Sequence, residues 1–202
     1  FVADGDRFRA SLARSNEGRA LLKLGRTEEA VAALEQGVEW QQGLVNRSYY
    51  ATALSKAAIG HAAAGNRAQA ARRFEEALAA VAAHEQGDPF ENEIRAEYGD
   101  FLMDEGRPAE ALAQYEWALT RARAASRATS EASMLERTAR ALSALGRYED
   151  AYKALREHLS ASKGVEEERS DLALRLQLLE LESTISQANE FMTEADHRHL
   201  FN

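Results

Sequence analysis

The stretch Gly25-Arg26-Thr27-Glu28-Glu29-Ala30 decides the fold, because its pattern of a glycine followed five positions later by an alanine returns three more times. The copies are Gly65–Ala70, Gly106–Ala111 and Gly146–Ala151, at spacings of 40, 41 and 40 residues. So regular a spacing through four copies is typical of a repeat array. The sequence therefore predicts stacked units, each packed against its neighbours.

Two further positions recur around each copy. A large apolar residue lies four positions after each alanine, and a small residue lies seven positions before each glycine. The large residues are Leu34, Phe74, Tyr115 and Leu155, and the small ones are Gly18, Ala58, Gly99 and Ala139. Glycine adopts the left-handed backbone that ends many helices, and small residues let helices pack closely. Each copy is therefore predicted to be the turn between two closely packed helices.

The composition favours helix throughout the chain. The 202 residues include 41 alanines and only two prolines, which leaves little β-branched material for strands. We therefore expect an all-α protein. The predicted helices are 6–24, 27–43, 47–64, 67–85, 90–105, 108–125, 129–145 and 148–162, with Asp88 as an N-cap and Pro89 in the first turn of the fifth helix.

Charge and residue types exclude several functions. The net charge of −8 opposes binding to nucleic acid, and no apolar run approaches the roughly 18 residues of a membrane span. Cysteine is absent, so thiolate chemistry is excluded and the cytoplasm is the default location. The histidines are scattered, and no phosphate-binding glycine loop or nucleophile–base set occurs. We expect no catalytic residue, metal ligand or cofactor.

The recurring positions resemble the tetratricopeptide repeat (TPR) family, although the period is about 40 residues instead of 34. This resemblance implies a long-helix variant: a right-handed superhelical array of four helix pairs over residues 1–163. The predicted repeats are about 7–45, 46–87, 88–126 and 127–163. Residues 164–202 would follow as a separate long helix.

In TPR arrays the first helix of each pair lines a concave groove that binds a protein or peptide. The residues that the resemblance places there form a basic, an acidic and a second basic band: Asn16, Arg19, Lys23, Lys56, Glu93, Glu97, Asp100, Asp104, Arg137 and Arg140. Such bands suit a peptide of complementary charge. They equally suit ion pairs between repeats on a solvated face.

The segment 164–202 has two apolar faces. Leu172, Leu176 and Leu179 form one face. A heptad seam on the other contains Leu174, Leu178, Leu181, Ile185, Ala188 and Met192. We expect the first face to cap the repeat array and the second to form a coiled-coil homodimer. The alternative is that the second face packs only within a longer protein.

The run Ala151–His158, followed by the acidic cluster Glu166–Glu168 and by Leu176–Glu182, resembles the end of the repeat array in bacterial GGDEF (diguanylate cyclase) signalling proteins. Similar junctions precede histidine kinase and helix-turn-helix output domains. The sequence begins at Phe1, so we expect a piece of a longer protein, with an output domain outside it. The predicted function is a sensory protein-interaction module, without enzymatic activity of its own, that relays binding to that domain. The alternatives are a structural scaffold for protein assembly and the TPR region of a transcriptional regulator.

Overall fold

The computed structural model describes residues 4–44, 46–82 and 88–161, and positions 176, 179, 180, 182–185 and 187. Over these residues the named elements are all α-helices, which confirms the predicted all-α array of helix pairs. They are α1 (Asp4–Lys23), α2 (Thr27–Gln41), α3 (Arg47–Ala63), α4 (Arg67–Ala82), α5 (Glu91–Asp104), α6 (Pro108–Ala124), α7 (Ala128–Ala144) and α8 (Tyr148–Ala161).

The chain divides into two compact units, Phe1–Glu105 and Gly106–Asn202. The first unit contains α1 to α5, in which α1 packs on α2, α2 on α3, and α3 on α4. The second contains α6, α7 and α8, with α7 packed on both of the others. The predicted boundary between 1–163 and 164–202 lies outside the described residues, so it stays a prediction.

The recurring glycine ends the first helix of each pair. Gly25, Gly65, Gly106 and Gly146 all have positive φ angles, between 69° and 79°. At the first turn, Gly25 N donates to Leu22 O and Arg26 N donates to Leu21 O at 3.0 Å, which satisfies carbonyls at the helix end. A glycine makes this conformation inexpensive, so the four turns follow from the four glycines.

The start of α5 differs from the prediction. Asp88 Oδ1 accepts a hydrogen bond from Phe90 N at 2.8 Å, whereas the N-cap of α5 is Phe90 and the helix begins at Glu91. Asp88 and Pro89 therefore form a turn before the helix instead of capping it. The aspartate side chain satisfies the nearer amide, as it does in turns, and this delays the helix by one residue.

The large apolar residue of the repeat joins three helices. Leu34 on α2 is 1% exposed. A β-carbon at Gly18 on α1 would lie 2.4 Å from Leu34 Cγ, and one at Gly60 on α3 would lie 2.7 Å from Leu34 Cδ1. The two glycines thus give Leu34 its space, and Leu34 ties its own repeat to the next one.

Larger residues fill the equivalent place in the next repeat. The fully buried Phe74 on α4 packs against two rings of α5, with centroids 5.2 Å from Tyr98 and 5.5 Å from Phe101. In the second unit Tyr115 on α6 is fully buried, and its hydroxyl lies 3.5 Å from Arg140 on α7. The repeat thus keeps one buried side chain at this position, while its partners change.

Replacing Phe74 should destabilise the first unit. We expect Phe74→Ala to lower the free energy of unfolding by about 3–5 kcal/mol, because it removes a fully buried ring and leaves a cavity. Leu24→Ala is the control, since Leu24 is 70% exposed, and its effect should stay within about 0.5 kcal/mol. Urea denaturation followed by circular dichroism measures both. Equal losses in the two variants would contradict this account of the core.

Candidate protein-interaction surface

The first helix carries an exposed basic stripe. Asn16, Arg19 and Lys23 are spaced three and four residues apart, so they lie on one face of α1, and all are exposed. The same spacing extends back to Leu12, which is 39% exposed, and to Arg9. Within the described residues Arg9, Arg19 and Lys23 take part in no ion pair. We call these five residues the α1 stripe.

The acidic band on α5 is in part neutralised by a lysine of the preceding first helix, α3. Lys56 on α3 pairs with two carboxylates of α5, at 2.8 Å from Glu93 Oε1 and also with Glu97 Oε1. Glu97 additionally accepts a hydrogen bond from Ser55 Oγ at 2.5 Å. The side chains of Lys56 and Glu97 are 15% and 19% exposed, so this cluster is largely withdrawn from water.

This cluster fixes the charge of Lys56. Burial opposes the ammonium form, but the attraction of Glu97 and the hydrogen bonds to Glu93 and Glu97 outweigh it and raise the Lys56 pKa above its usual value. The stabilisation that follows is present at neutral pH and is lost only as alkaline pH rises through that pKa. Lys56 is thus a structural cation that links α3 to α5.

The ten candidate residues therefore differ in exposure and in whether they pair with other residues of the fold. In the first unit, Lys56 pairs with both Glu93 and Glu97, whereas Asn16, Arg19 and Lys23 face solvent on the α1 stripe. On α5, Asp104 is exposed and Asp100 is half-buried. Ion pairs between repeats thus account for the centre of the charge pattern, and the basic residues of α1 stay available.

The second basic band lies in the second unit and is engaged with its neighbours. Arg137 on α7 donates to Ser133 Oγ one turn earlier. Arg140 Nη2 lies 3.5 Å from the Tyr115 hydroxyl on α6. Arg137 thus bonds within its own helix, while Arg140 connects α7 to α6 and remains exposed.

Only part of the predicted dimer seam can be placed. Ile185 is 51% exposed, while Leu179 on the other predicted face is 7% exposed. Ser183 and Gln187 line a cavity of about 190 Å³ with residues 146–150, which comprise the α7–α8 turn and the start of α8. The remaining seam residues, Leu174, Leu178, Leu181, Ala188 and Met192, lie outside the described residues.

A second ionic cluster between repeats has no counterpart in the sequence-based predictions. Glu35 on α2 accepts two hydrogen bonds from Arg73 on α4, at 2.9 and 2.6 Å, and lies 2.9 Å from His61 Nε2 on α3. The positions of these residues in the repeat could have predicted the contact. Arg73 lies one residue before Phe74, and Glu35 lies one residue after Leu34, so neighbouring repeats bring the two together.

The described residues contain neither a metal-ligand cluster nor a membrane-spanning helix. No cluster of three or more histidine, aspartate or glutamate side chains that could hold a metal ion occurs there. Over the same part of the chain, no helix combines the length and apolarity needed to cross a membrane.

Comparisons with known proteins agree on the fold. The family model of the tetratricopeptide repeat matches residues 11–36. TPR-like repeats of a putative kinesin light chain from Podosopora anserina superpose with a TM-score of 0.76 at 20% identity, covering 94% of this chain and 93% of that one. MamA from Desulfovibrio magneticus gives 0.63 at 16% identity, covering 96% and 97%.

A signal-transduction ATPase with a tetratricopeptide repeat sensor, from Pyrococcus horikoshii, gives a TM-score of 0.65 at 18% identity. The match covers 77% of this chain and 24% of that protein. A comparison with curated proteins finds no match. The chain is thus a TPR-like array of helix pairs, a fold typical of protein–protein interaction.

Breaking the Lys56 cluster should cost more than breaking an exposed ion pair. We expect Glu97→Ala to lower the free energy of unfolding by about 1–3 kcal/mol, because Lys56 and Ser55 lose a largely buried partner. Glu149→Ala, which breaks an exposed pair with Lys153, should change it by less than about 0.5 kcal/mol. Urea denaturation compares the two.

A paired replacement tests the interpretation of the Lys56 cluster. Lys56→Met combined with Glu97→Leu should recover much of the loss, because it removes the buried charge together with its partner. If the double variant is as unstable as the sum of the single variants, Lys56 and Glu97 do not act as a pair.

Proposed function

We propose that this chain is the protein-interaction module of a signalling or regulatory protein, and that it binds an acidic segment of a partner along the α1 stripe. The observation that carries the proposal is the contrast between Arg19 and Lys23, which face solvent without an ion pair in the described residues, and Lys56, which is neutralised within the fold. The partner is a protein or peptide.

Charge and shape both favour an acidic peptide with an apolar residue. The α1 stripe combines three cationic side chains with Leu12, which is 39% exposed, so a carboxylate-rich segment could also bury one apolar side chain there. The tail segment 164–202 carries nine acidic and three basic residues, whereas the repeats are nearly neutral. Because the basic residues of α1 lie in a weakly charged region, they can attract an acidic partner.

The proposal also includes a relay, in which the tail transmits partner binding to an output domain. Leu179 is buried and Ile185 is exposed, which supports a tail helix with one face on the array and one face turned outward. The Pyrococcus protein is described as a signal-transduction ATPase with a tetratricopeptide repeat sensor, so it is an example of TPR repeats that act as the sensor of a larger protein. A GGDEF domain is the output domain that the junction resembles, and the cytoplasm remains the default location for a chain without cysteine.

A scaffold for protein assembly is the second candidate. The same surface would bind a partner, but the tail would not join two chains and no output would be regulated. The two candidates therefore differ in the oligomeric state that the tail produces.

Reversal of charge on the α1 stripe should weaken peptide binding. As probe we choose a fluorescein-labelled twelve-residue peptide of alternating glutamate pairs and single leucines. Arg19→Glu with Lys23→Glu should raise its Kd roughly tenfold or more, because two attractive charges become repulsive. Fluorescence anisotropy at low salt measures the Kd, and the difference should shrink at high salt.

A matched variant controls for net charge. Arg72→Glu with Arg147→Glu changes the net charge equally at exposed positions that do not belong to the α1 stripe, and should leave the Kd within about twofold. If both double variants weaken the peptide equally, binding depends on overall charge and the proposed surface is wrong.

The tail prediction is tested by mass in solution. Light scattering after size exclusion should give about 45 kDa, twice the 22.3 kDa of one chain, if the seam joins two copies. Leu178→Glu with Ile185→Glu should return the mass to that of one chain, because charge would replace the apolar seam. A wild-type mass of one chain at every concentration would favour the scaffold.

A further inference from the structure

The five positions of the α1 stripe recur on the next two first helices. The turn glycines Gly25, Gly65 and Gly106 are 40 and 41 residues apart, so each position of the stripe has a counterpart at these spacings. The counterparts are Tyr49, Thr52, Lys56, Ile59 and Ala63 at α3, and Phe90, Glu93, Glu97, Asp100 and Asp104 at α5. We call these residues, together with the α1 stripe, the first-helix face.

Contacts between counterparts show that the three stripes lie side by side in the first unit. The ring of Tyr49 lies 5.6 Å from that of its counterpart Phe90, and 4.8 Å from that of Phe8, one residue before the α1 stripe. Further along the helices, Lys56 pairs with its counterpart Glu97. The helices α1, α3 and α5 therefore present these positions on one continuous surface.

The charge of the first-helix face changes sign across the three helices near the turn glycines. The last residue of α1 is Lys23, that of α3 is Ala63 and that of α5 is Asp104, and all three are exposed. One turn earlier, α1 carries the exposed Arg19 and α3 carries the half-buried Ile59. The face therefore presents cations on α1, an apolar strip on α3 and a carboxylate on α5.

The stability of the fold does not account for Asp104. Within the described residues Asp104 takes part in no ion pair, and the same holds for Lys23. Asp104 is the last residue of α5, where the negative end of the helix dipole disfavours a carboxylate, whereas Lys23 is favoured at the same position of α1. The carboxylate of Asp104 is thus available to a cation of another molecule.

The opposite charges of α1 and α5 act separately. Packed helices lie about 8–10 Å apart, so Lys23 and Asp104, with α3 between their helices, are about 16–20 Å apart. This separation is about twice the screening length of roughly 8 Å at physiological salt, so the two charges do not cancel. An extended chain, at about 3.3 Å per residue, spans it with about five or six residues.

We propose that the first-helix face binds an extended partner segment with an acidic residue at one end, an apolar residue in the middle and a basic residue at the other end. The acidic residue pairs with Arg19 and Lys23, the apolar residue covers Ile59, and the basic residue pairs with Asp104. The α1 stripe keeps the acidic ligand of the proposed function, on which this proposal rests. Asp104 adds selection for a cation about five or six residues away from that ligand.

Two peptides of identical composition test the order of the charges. Both are fluorescein-labelled twelve-residue peptides of glycine and serine that contain two adjacent glutamates, one leucine and one lysine. In the spaced peptide the lysine lies six residues from the glutamates, with the leucine halfway, and in the clustered peptide the lysine lies next to the glutamates. Fluorescence anisotropy against the full chain at low salt should give the spaced peptide a Kd lower by about threefold or more, because only its lysine reaches Asp104.

Substitution of Asp104 tests whether it selects the basic residue. Asp104→Lys should remove the preference for the spaced peptide, because a cation then repels the peptide lysine. The variant should stay folded, since Asp104 is exposed and a cation is favoured at the end of α5, and circular dichroism checks this. Glu75→Lys is the matched control, because it changes the charge equally at an exposed position of α4, and it should preserve the preference.

A variant of the α1 stripe separates this proposal from the proposed function. Arg19→Glu with Lys23→Glu should raise the Kd of both peptides, because both carry the two glutamates. If it does so while the wild-type chain binds the two peptides equally, the α1 stripe binds acidic residues and the role assigned to Asp104 is wrong.

Other outcomes would also overturn the proposal. A preference that survives Asp104→Lys, or that Glu75→Lys removes as well, would mean that Asp104 does not select the peptide. If the chain binds the glutamate–leucine peptide of the proposed function but neither lysine peptide, the α1 stripe is correct and the extended segment is wrong. Failure to bind any of the three peptides would reject both.

Discussion

The fold depends on one buried side chain per repeat, held between two first helices. Leu34 reaches from α2 to Gly18 in its own repeat and to Gly60 in the next, and no larger residue could replace either glycine without displacing it. Since the contact spans a repeat boundary, it fixes both the pairing of α1 with α2 and the stacking of α3 on α2. The alanine-rich segments form the helices, and this contact determines how the helices pack on one another.

The positions that repeat in the sequence were the ones that could be predicted. The four glycines adopt positive φ angles at the turns, and Leu34, Phe74 and Tyr115 are buried, because both features are set by local spacing. The prediction of Asp88 as the N-cap of α5 was wrong, because the N-cap is Phe90, two residues later. Its carboxylate accepts a hydrogen bond from the amide of Phe90 and forms a turn before the helix. The sequence spacing alone does not settle whether an aspartate forms such a turn or caps the helix.

The candidate surface was harder to predict, because its state depends on pairs far apart in the sequence. Lys56 finds Glu93 and Glu97, which lie 37 and 41 residues later. Sequence reasoning placed all three on first helices, yet only the stacking of α3 against α5 shows that they neutralise one another. The cations of the α1 stripe have no ion-pair partner in the described residues, so they are available to bind another molecule, whereas Lys56 serves the fold.

The ends of a repeat array pose a separate physical problem. On α3, Gly60 and His61 are covered by the preceding repeat, because α2 supplies Leu34 to pack on Gly60 and Glu35 to bind His61. The first repeat has Ala20 and Leu21 at these positions, as the fourth repeat has Ala141 and Leu142, so an apolar pair is an ordinary form of the repeat. Leu21 keeps its place in the core at 9% exposure, whereas Ala20 and Leu24 are exposed. The first repeat therefore differs from the second in what covers it, because no helix precedes it among the described residues.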